Sequence, residues 1–295
     1  MRQIVAKRLL TPQKNPGFWF DVKYNMNPYR GCVFGCIYCD SRSECYHVDD
    51  FDTIALKANY LELLDTELKG KRVRGIIGMG AMSDPYNPFE QKTLATRRAL
   101  EIIHRYGFGV HLTTKSTLVQ RDGDIFQAIS DHSPVTVGIT ITTADDDLAS
   151  KIEPHAPLSS QRFSAVERLA KDGVFTGIMM MPILPYINDT FDNMERIVDR
   201  AAESGARYIY PWFSVTMRTG QREFFYEGLD RHFPGLKAKY IKAYGELYEC
   251  RSPRYRELYA AFEERCKRYG IVYSMEDIIK EAQDRVKWEQ ARFEI

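Results

Sequence analysis

The stretch Asn27-Pro28-Tyr29-Arg30-Gly31-Cys32-Val33-Phe34-Gly35-Cys36-Ile37-Tyr38-Cys39-Asp40 carries three cysteines in fourteen residues, spaced C-x3-C-x2-C. Gly31 and Gly35 let the chain bend tightly enough to turn three thiolates inward around one soft centre. Thiolate sulfur selects zinc or iron–sulfur clusters. The number of ligands is informative, because a structural zinc site wants four and a cubane wants one for each iron. Three cysteines on a cubane leave one iron open, where a small molecule can bind. The competing reading is a zinc knuckle completed by Cys45 or His47; a disulfide with a spare thiol is a further alternative.

Composition agrees with a catalyst of ordinary size. The 295 residues, 44% of them apolar, suffice for one large α/β domain or two smaller ones. The first twenty residues contain no long apolar run, so neither a signal peptide nor a membrane span is expected. The expected compartment is the cytosol, where thiols stay reduced. A net charge of +1 argues against a strongly basic nucleic-acid binder while leaving room for a local patch.

Working outward from the cysteines, short apolar runs alternate with amphipathic stretches, the pattern of βα units on a largely parallel sheet. Strands are predicted at 18–23, 75–79, 109–114, 135–141, 177–182 and 208–213. Helices are predicted at 90–106, 122–130, 160–172 and 190–204, closed near Gly107, Gly173 and Gly205. From about Gln221 the chain becomes rich in charge and tyrosine. Three segments are therefore expected: an N-terminal arm over 1–17, a core over 18–220 and a helical C-terminal extension over 221–295.

Loops at the carboxyl ends of parallel strands converge on one mouth, and several unusual segments fall there. After the second strand comes Gly78-Met79-Gly80-Ala81-Met82-Ser83-Asp84-Pro85-Tyr86, followed by Pro88 and Glu90. The third strand ends in Thr113-Thr114-Lys115-Ser116, a cation among hydroxyls suited to a carboxylate. The fourth ends at Thr140 and leads to Glu153-Pro154, Pro157 and Arg162. The fifth leads to Pro182, Pro185 and Asn188-Asp189. Taken singly, each has a bland explanation: a helix cap, a solvated lysine, a turn glycine.

Taken together over roughly residues 18–220, these segments resemble the radical S-adenosylmethionine (SAM) superfamily, in the branch of spore photoproduct lyase and the photolyase-like proteins grouped with it. The resemblance implies an incomplete TIM-like (β/α)6 barrel, a [4Fe–4S] cluster on Cys32, Cys36 and Cys39, and SAM chelated to the open iron. It also implies reductive cleavage of SAM to a 5′-deoxyadenosyl radical that abstracts hydrogen, with the electron coming from flavodoxin or ferredoxin. Tyr38 would pack near the adenine, Ser83 and the backbone at Gly80 near the methionyl amine, and Lys115 near the carboxylate. Thr140 and Glu153 would lie near the ribose or the amine. The lyase proper places a cysteine hydrogen donor shortly before its Ser-Asp pair. Here that position reads Gly80-Ala81-Met82, so photoproduct or nucleic-acid lesion repair becomes the alternative reading and the substrate stays open.

Cys45 and Tyr86 are the catalytic candidates outside the cofactor set. Cys45, Cys250 and Cys266 number three where a second cubane would want four. Tyr240, Tyr244 and Tyr248 recur every four residues and are expected on one helix face, beside Lys237, Lys239 and Lys242. Packing of the extension onto the core is favoured there over a nucleic-acid surface, because Glu246, Glu249 and Glu257 dilute the field. A zinc or nucleic-acid binding module remains the non-catalytic alternative.

Overall fold

The computed structural model describes residues 1–15, 17–48 and 50–286. Its centre is a run of six mutually parallel strands: β1 (Val22–Asn25), β2 (Ile76–Met79), β3 (Gly109–Thr114), β4 (Val135–Thr140), β5 (Thr176–Met180) and β6 (Tyr208–Pro211). Spatial order follows chain order, and the short strand Thr11–Pro12 adds antiparallel to β1. Every residue of β2, β4 and β5 is buried, as expected of strands covered on both faces. β6 and Thr11–Pro12 are the two edges. The sheet is therefore open, and the described residues form no closed barrel.

The predicted elements occur with small displacements at their ends, and two differences have physical causes. The helix expected over 90–106 is two helices, Glu90–Thr93 and Ala95–Arg105, broken at Leu94, which adopts φ +53°. Glu90 makes the break. Its fully buried carboxylate accepts from the backbone N–H of Thr96 at 3.0 Å and of Arg97 at 3.4 Å, capping the second helix with a side chain. The first strand starts at Val22 rather than at Phe18, because Phe20 and Asp21 both hold positive φ.

The C-terminal part is not wholly helical. Helices Gln221–His232, Leu236–Tyr244, Tyr255–Tyr269 and Met275–Asp284 are interrupted by strand Glu249–Arg251, which pairs antiparallel with Ser214–Thr216. Tyr240 and Tyr244 share a helix, but Gly245 ends it at φ +51°, so Tyr248 lies outside their face. Tyr240 is fully buried and donates to the Pro185 carbonyl at 2.7 Å. The last described helix packs Ile278 and Ala282 against Phe20, Phe175 and Tyr208, and Arg2–Ile4 lies parallel to Ala55–Lys57 in a small separate sheet. Positions 287–295 of the expected extension lie outside the described residues. No described helix is long and apolar enough to cross a membrane.

Candidate functional site

A cavity lies at the carboxyl ends of the parallel strands. Cys32, Cys36 and Cys39 line it together with Gly80 and Ser83 of the β2 loop, Lys115 after β3, Thr140 and Tyr38. Met82, Met181, Trp212 and Val215 make its apolar side. The strand-end segments that looked weak one at a time thus converge around the cysteine loop.

The cysteine loop is fixed by close backbone approaches. Gly31 at φ +82° brings its Cα against the Thr53 carbonyl, where a Cβ would stand 2.5 Å from the oxygen. Ser83 donates to the Gly31 carbonyl at 2.5 Å, tying the β2 loop to the cysteine loop. Gly80, at φ +99°, leaves no room for a Cβ, which would meet the Thr113 carbonyl oxygen at 2.0 Å. Its N–H donates to Asn27 Oδ1 at 3.0 Å. These contacts hold four segments that are remote in sequence, at 27–31, 53, 80–83 and 113, in one mutual position.

Burial pushes the Cys32 thiol up to about 11, helped by the Asp84 carboxylate. Burial raises Cys36 and Cys39 as well, with Lys115 pulling in the opposite direction on both. Lys115 itself loses hydration, yet the charges of Cys36 and Glu153 outweigh that loss and raise its pKa. Its ammonium sits 5.5 Å from the centre of the Tyr38 ring. Three thiols and a half-buried cation lining one cavity form a donor set suited to a cluster and an anionic group of a ligand.

Among the described residues, no group of three or more His, Cys, Asp or Glu is arranged to hold a single metal ion. A cubane takes its thiolates on separate irons, so it spreads them wider than one ion does. The arrangement gives no support to a zinc knuckle with Cys45 or His47.

Two candidates lie behind the site. Glu153 does not line the cavity; it accepts a hydrogen bond from the Tyr38 hydroxyl and pairs with Arg162. Tyr86 is also off the lining, buried, with its hydroxyl donating to Asp122 at 2.9 Å. Cys45 is exposed and lines a neighbouring depression with Arg218 and Tyr248. Cys250 and Cys266 are buried in two different apolar clusters, so these three thiols do not converge.

Asp84 is a residue whose role the sequence reading missed. Its carboxylate accepts from Thr114 Oγ1 at 2.7 Å and from the N–H groups of Lys115 and Tyr86 at 2.8 and 2.9 Å, clasping the β2 loop to the end of β3. Burial raises its pKa against these three donors. A carboxylate after Ser83 was visible in the sequence, but partners thirty residues away were not.

Comparison with known proteins bears on the family and the fold. An uncharacterized protein of Methanocaldococcus jannaschii is 33% identical over 190 residues, covering 63% of this chain and 69% of its own length. An uncharacterized protein of Mycobacterium tuberculosis is 27% identical over 246 residues, covering 80% of this chain and 71% of its own. In structure, the chain superimposes on spore photoproduct lyase with bound AdoMet and dinucleoside spore photoproduct at a TM-score of 0.68. The overlap spans 92% of this chain and 80% of that one at 13% identity, a likeness of fold. Residues 26–201 match the family model of the Radical SAM superfamily, a span that includes the cysteine loop and β2–β5. This chain belongs to the radical SAM superfamily and is a radical SAM enzyme.

Proposed function

We propose that Cys32, Cys36 and Cys39 hold a [4Fe–4S] cluster with one open iron, that SAM occupies the adjoining cavity, and that the open sheet serves as the partial (β/α)6 barrel of this superfamily. The convergence of the three cysteines, Cys36 buried and Cys32 and Cys39 half-buried, with Gly80, Ser83, Lys115 and Thr140 on one cavity carries the reading. When bound, the cluster supplies one electron to SAM, whose reductive cleavage provides the radical for hydrogen abstraction from substrate.

The protein's own groups bind, orient and exclude water. Lys115 offers its charge to the SAM carboxylate, and the tight backbone at Gly80 admits the methionyl end. Tyr38 presents an aromatic face, held in place by its hydrogen bond to Glu153. Met82, Met181, Trp212 and Val215 keep the substrate side apolar, which protects a reactive intermediate from solvent. The electron comes from an external donor of the flavodoxin or ferredoxin type, and the compartment is the cytosol.

Lesion repair on nucleic acid is the second reading, supported by the shared fold with spore photoproduct lyase. It is weakened by Gly80-Ala81-Met82, which offers no thiol beside the site.

The test is anaerobic reconstitution with iron and sulfide, followed by dithionite and SAM. 5′-Deoxyadenosine that forms in the native protein and disappears in Cys36→Ala supports the proposal. An iron-loaded protein that neither binds nor cleaves SAM, with or without candidate substrates, overturns it.

A further inference from the structure

Asp40 follows the third cysteine directly and lines the same cavity. A carboxylate is a competent ligand for iron, and a three-cysteine cluster offers one vacant iron. An unrestrained Asp40 would therefore compete with SAM for that position. In the structure both of its oxygens are engaged elsewhere. Oδ1 accepts from Thr216 Oγ1 at 3.0 Å and pairs with Arg218 Nε at 3.3 Å. Oδ2 accepts from the Tyr46 hydroxyl at 2.9 Å.

Arg218 is itself held on several sides. It donates to Tyr46 at 3.1 Å and to Cys45 Sγ at 3.3 Å through Nη1, and to the Tyr248 hydroxyl at 2.8 Å through Nη2. Its guanidinium carbon also lies 5.3 Å from the ring centres of both Tyr46 and Tyr248. The planar fork is thus fixed before it meets Asp40. Three further contacts join the same parts: Gln221 Nε2 donates to the Tyr38 carbonyl at 2.9 Å, the Glu44 N–H donates to the Thr219 carbonyl at 3.1 Å, and Arg42 lies 3.8 Å from the centre of the Phe224 ring.

We infer that Arg218, with Thr216 and Tyr46, is a positioning residue that holds the Asp40 carboxylate away from the open iron and so keeps that iron available to SAM. The inference rests on the proposed cluster and gives the segment from Ser214 to Tyr248 a function beyond packing. Its effect on chemistry is indirect, because Arg218 does not line the cysteine cavity.

The test uses anaerobically reconstituted full-length protein in three forms: native, Arg218→Gln, and Arg218→Gln combined with Asp40→Asn. SAM affinity is measured at equilibrium, and the electron paramagnetic resonance spectrum of the reduced cluster is recorded with and without SAM. Arg218→Gln is expected to weaken SAM about tenfold or more and to yield a cluster spectrum that responds less to SAM. Adding Asp40→Asn is expected to restore affinity to within about twofold of native, since the amide is a poor iron ligand of nearly the same shape. Native affinity in Arg218→Gln overturns the inference. So does a loss that Asp40→Asn fails to reverse, which would make Arg218 a purely structural residue. A native protein that takes up no cluster or binds no SAM overturns the cofactor reading, and this inference with it.

Discussion

Arg162 and Glu153 form an ion pair with Nη1 and Oε2 2.5 Å apart and both side chains fully withdrawn from solvent. Arg162 also donates to the carbonyls of Pro157 at 2.7 Å and Thr140 at 3.0 Å, so it bridges the strand β4 end to the helix that follows. Glu153 in turn holds the Tyr38 hydroxyl. The pair therefore links the cavity wall at Thr140 to the cysteine loop at Tyr38. Arg162→Met strands a buried carboxylate, and breaking such a pair from one side costs about 3–5 kcal/mol. Denaturant unfolding of the variant should show a midpoint lowered accordingly. Combining it with Glu153→Gln should recover a large part of the loss, because the uncompensated charge is gone. A loss of under about 1 kcal/mol in Arg162→Met would show the pair to be energetically idle.

Gly80 occupies a conformation and a space that no side chain can share. At φ +99° an added Cβ is strained and also meets the Thr113 carbonyl at 2.0 Å. Gly80→Ala should cost roughly 2 kcal/mol or more in stability. It should also weaken SAM binding by displacing the β2 loop from β3. The control is Gly235→Ala, at φ +85° with nothing within 4 Å of the added carbon. It carries the backbone cost without the clash, so comparing the two midpoints isolates the steric term. Equal losses would place the whole effect in the backbone.

The sequence made the sheet legible because parallel strands buried on both sides read as continuous apolar runs, and Ile76–Met79 and the Ile178-Met179-Met180 end of Thr176–Met180 behave that way. The cysteine loop was legible because thiolate spacing is local. What depended on distant partners was not. Leu94 breaks a periodic helix only because Glu90 folds back to cap the next one. Strand Glu249–Arg251 exists only because Ser214–Thr216 is there to pair with it. Glu153, read as a contact to ligand, is instead claimed by Tyr38 and Arg162, and nothing near Glu153 in the chain announces that Arg162 would be fully buried.

The six cysteines divide cleanly by position. Only Cys32, Cys36 and Cys39 line the cavity; Cys250 shares an apolar cluster with Cys36 without reaching that cavity, Cys266 sits in a different cluster, and Cys45 is exposed beside Arg218. Alanine at any one of the first three should abolish the brown chromophore and stable iron. Alanine at Cys45, Cys250 or Cys266 should leave about four irons per chain, the content of one cubane. Iron and sulfide analysis of anaerobically reconstituted protein checks both. Iron near eight in the native protein, falling on replacement of Cys250, would establish a second cluster.

His111 gives a pH dependence of folding that does not involve the cavity cysteines. Its ring is buried beneath Phe20, with ring centres 3.7 Å apart and planes within 13°. Nδ1 is bonded to Thr136 at 2.8 Å and Nε2 to Thr113 at 3.1 Å. Burial pushes its pKa down to about 3, whereas the unfolded chain carries an ordinary histidine near about 6.5. Between those values the unfolded state binds the proton and the native state does not, so stability rises with pH across the window. The contribution is complete above about pH 6.5 and is lost as pH falls towards 3, at up to about 1.4 kcal/mol per pH unit. His111→Gln removes the titration while keeping a polar group for the two threonines. Urea midpoints of the metal-free protein measured from pH 7 to pH 4.5 should therefore fall more steeply in the native protein than in the variant. Parallel slopes would mean that His111 does not control acid stability.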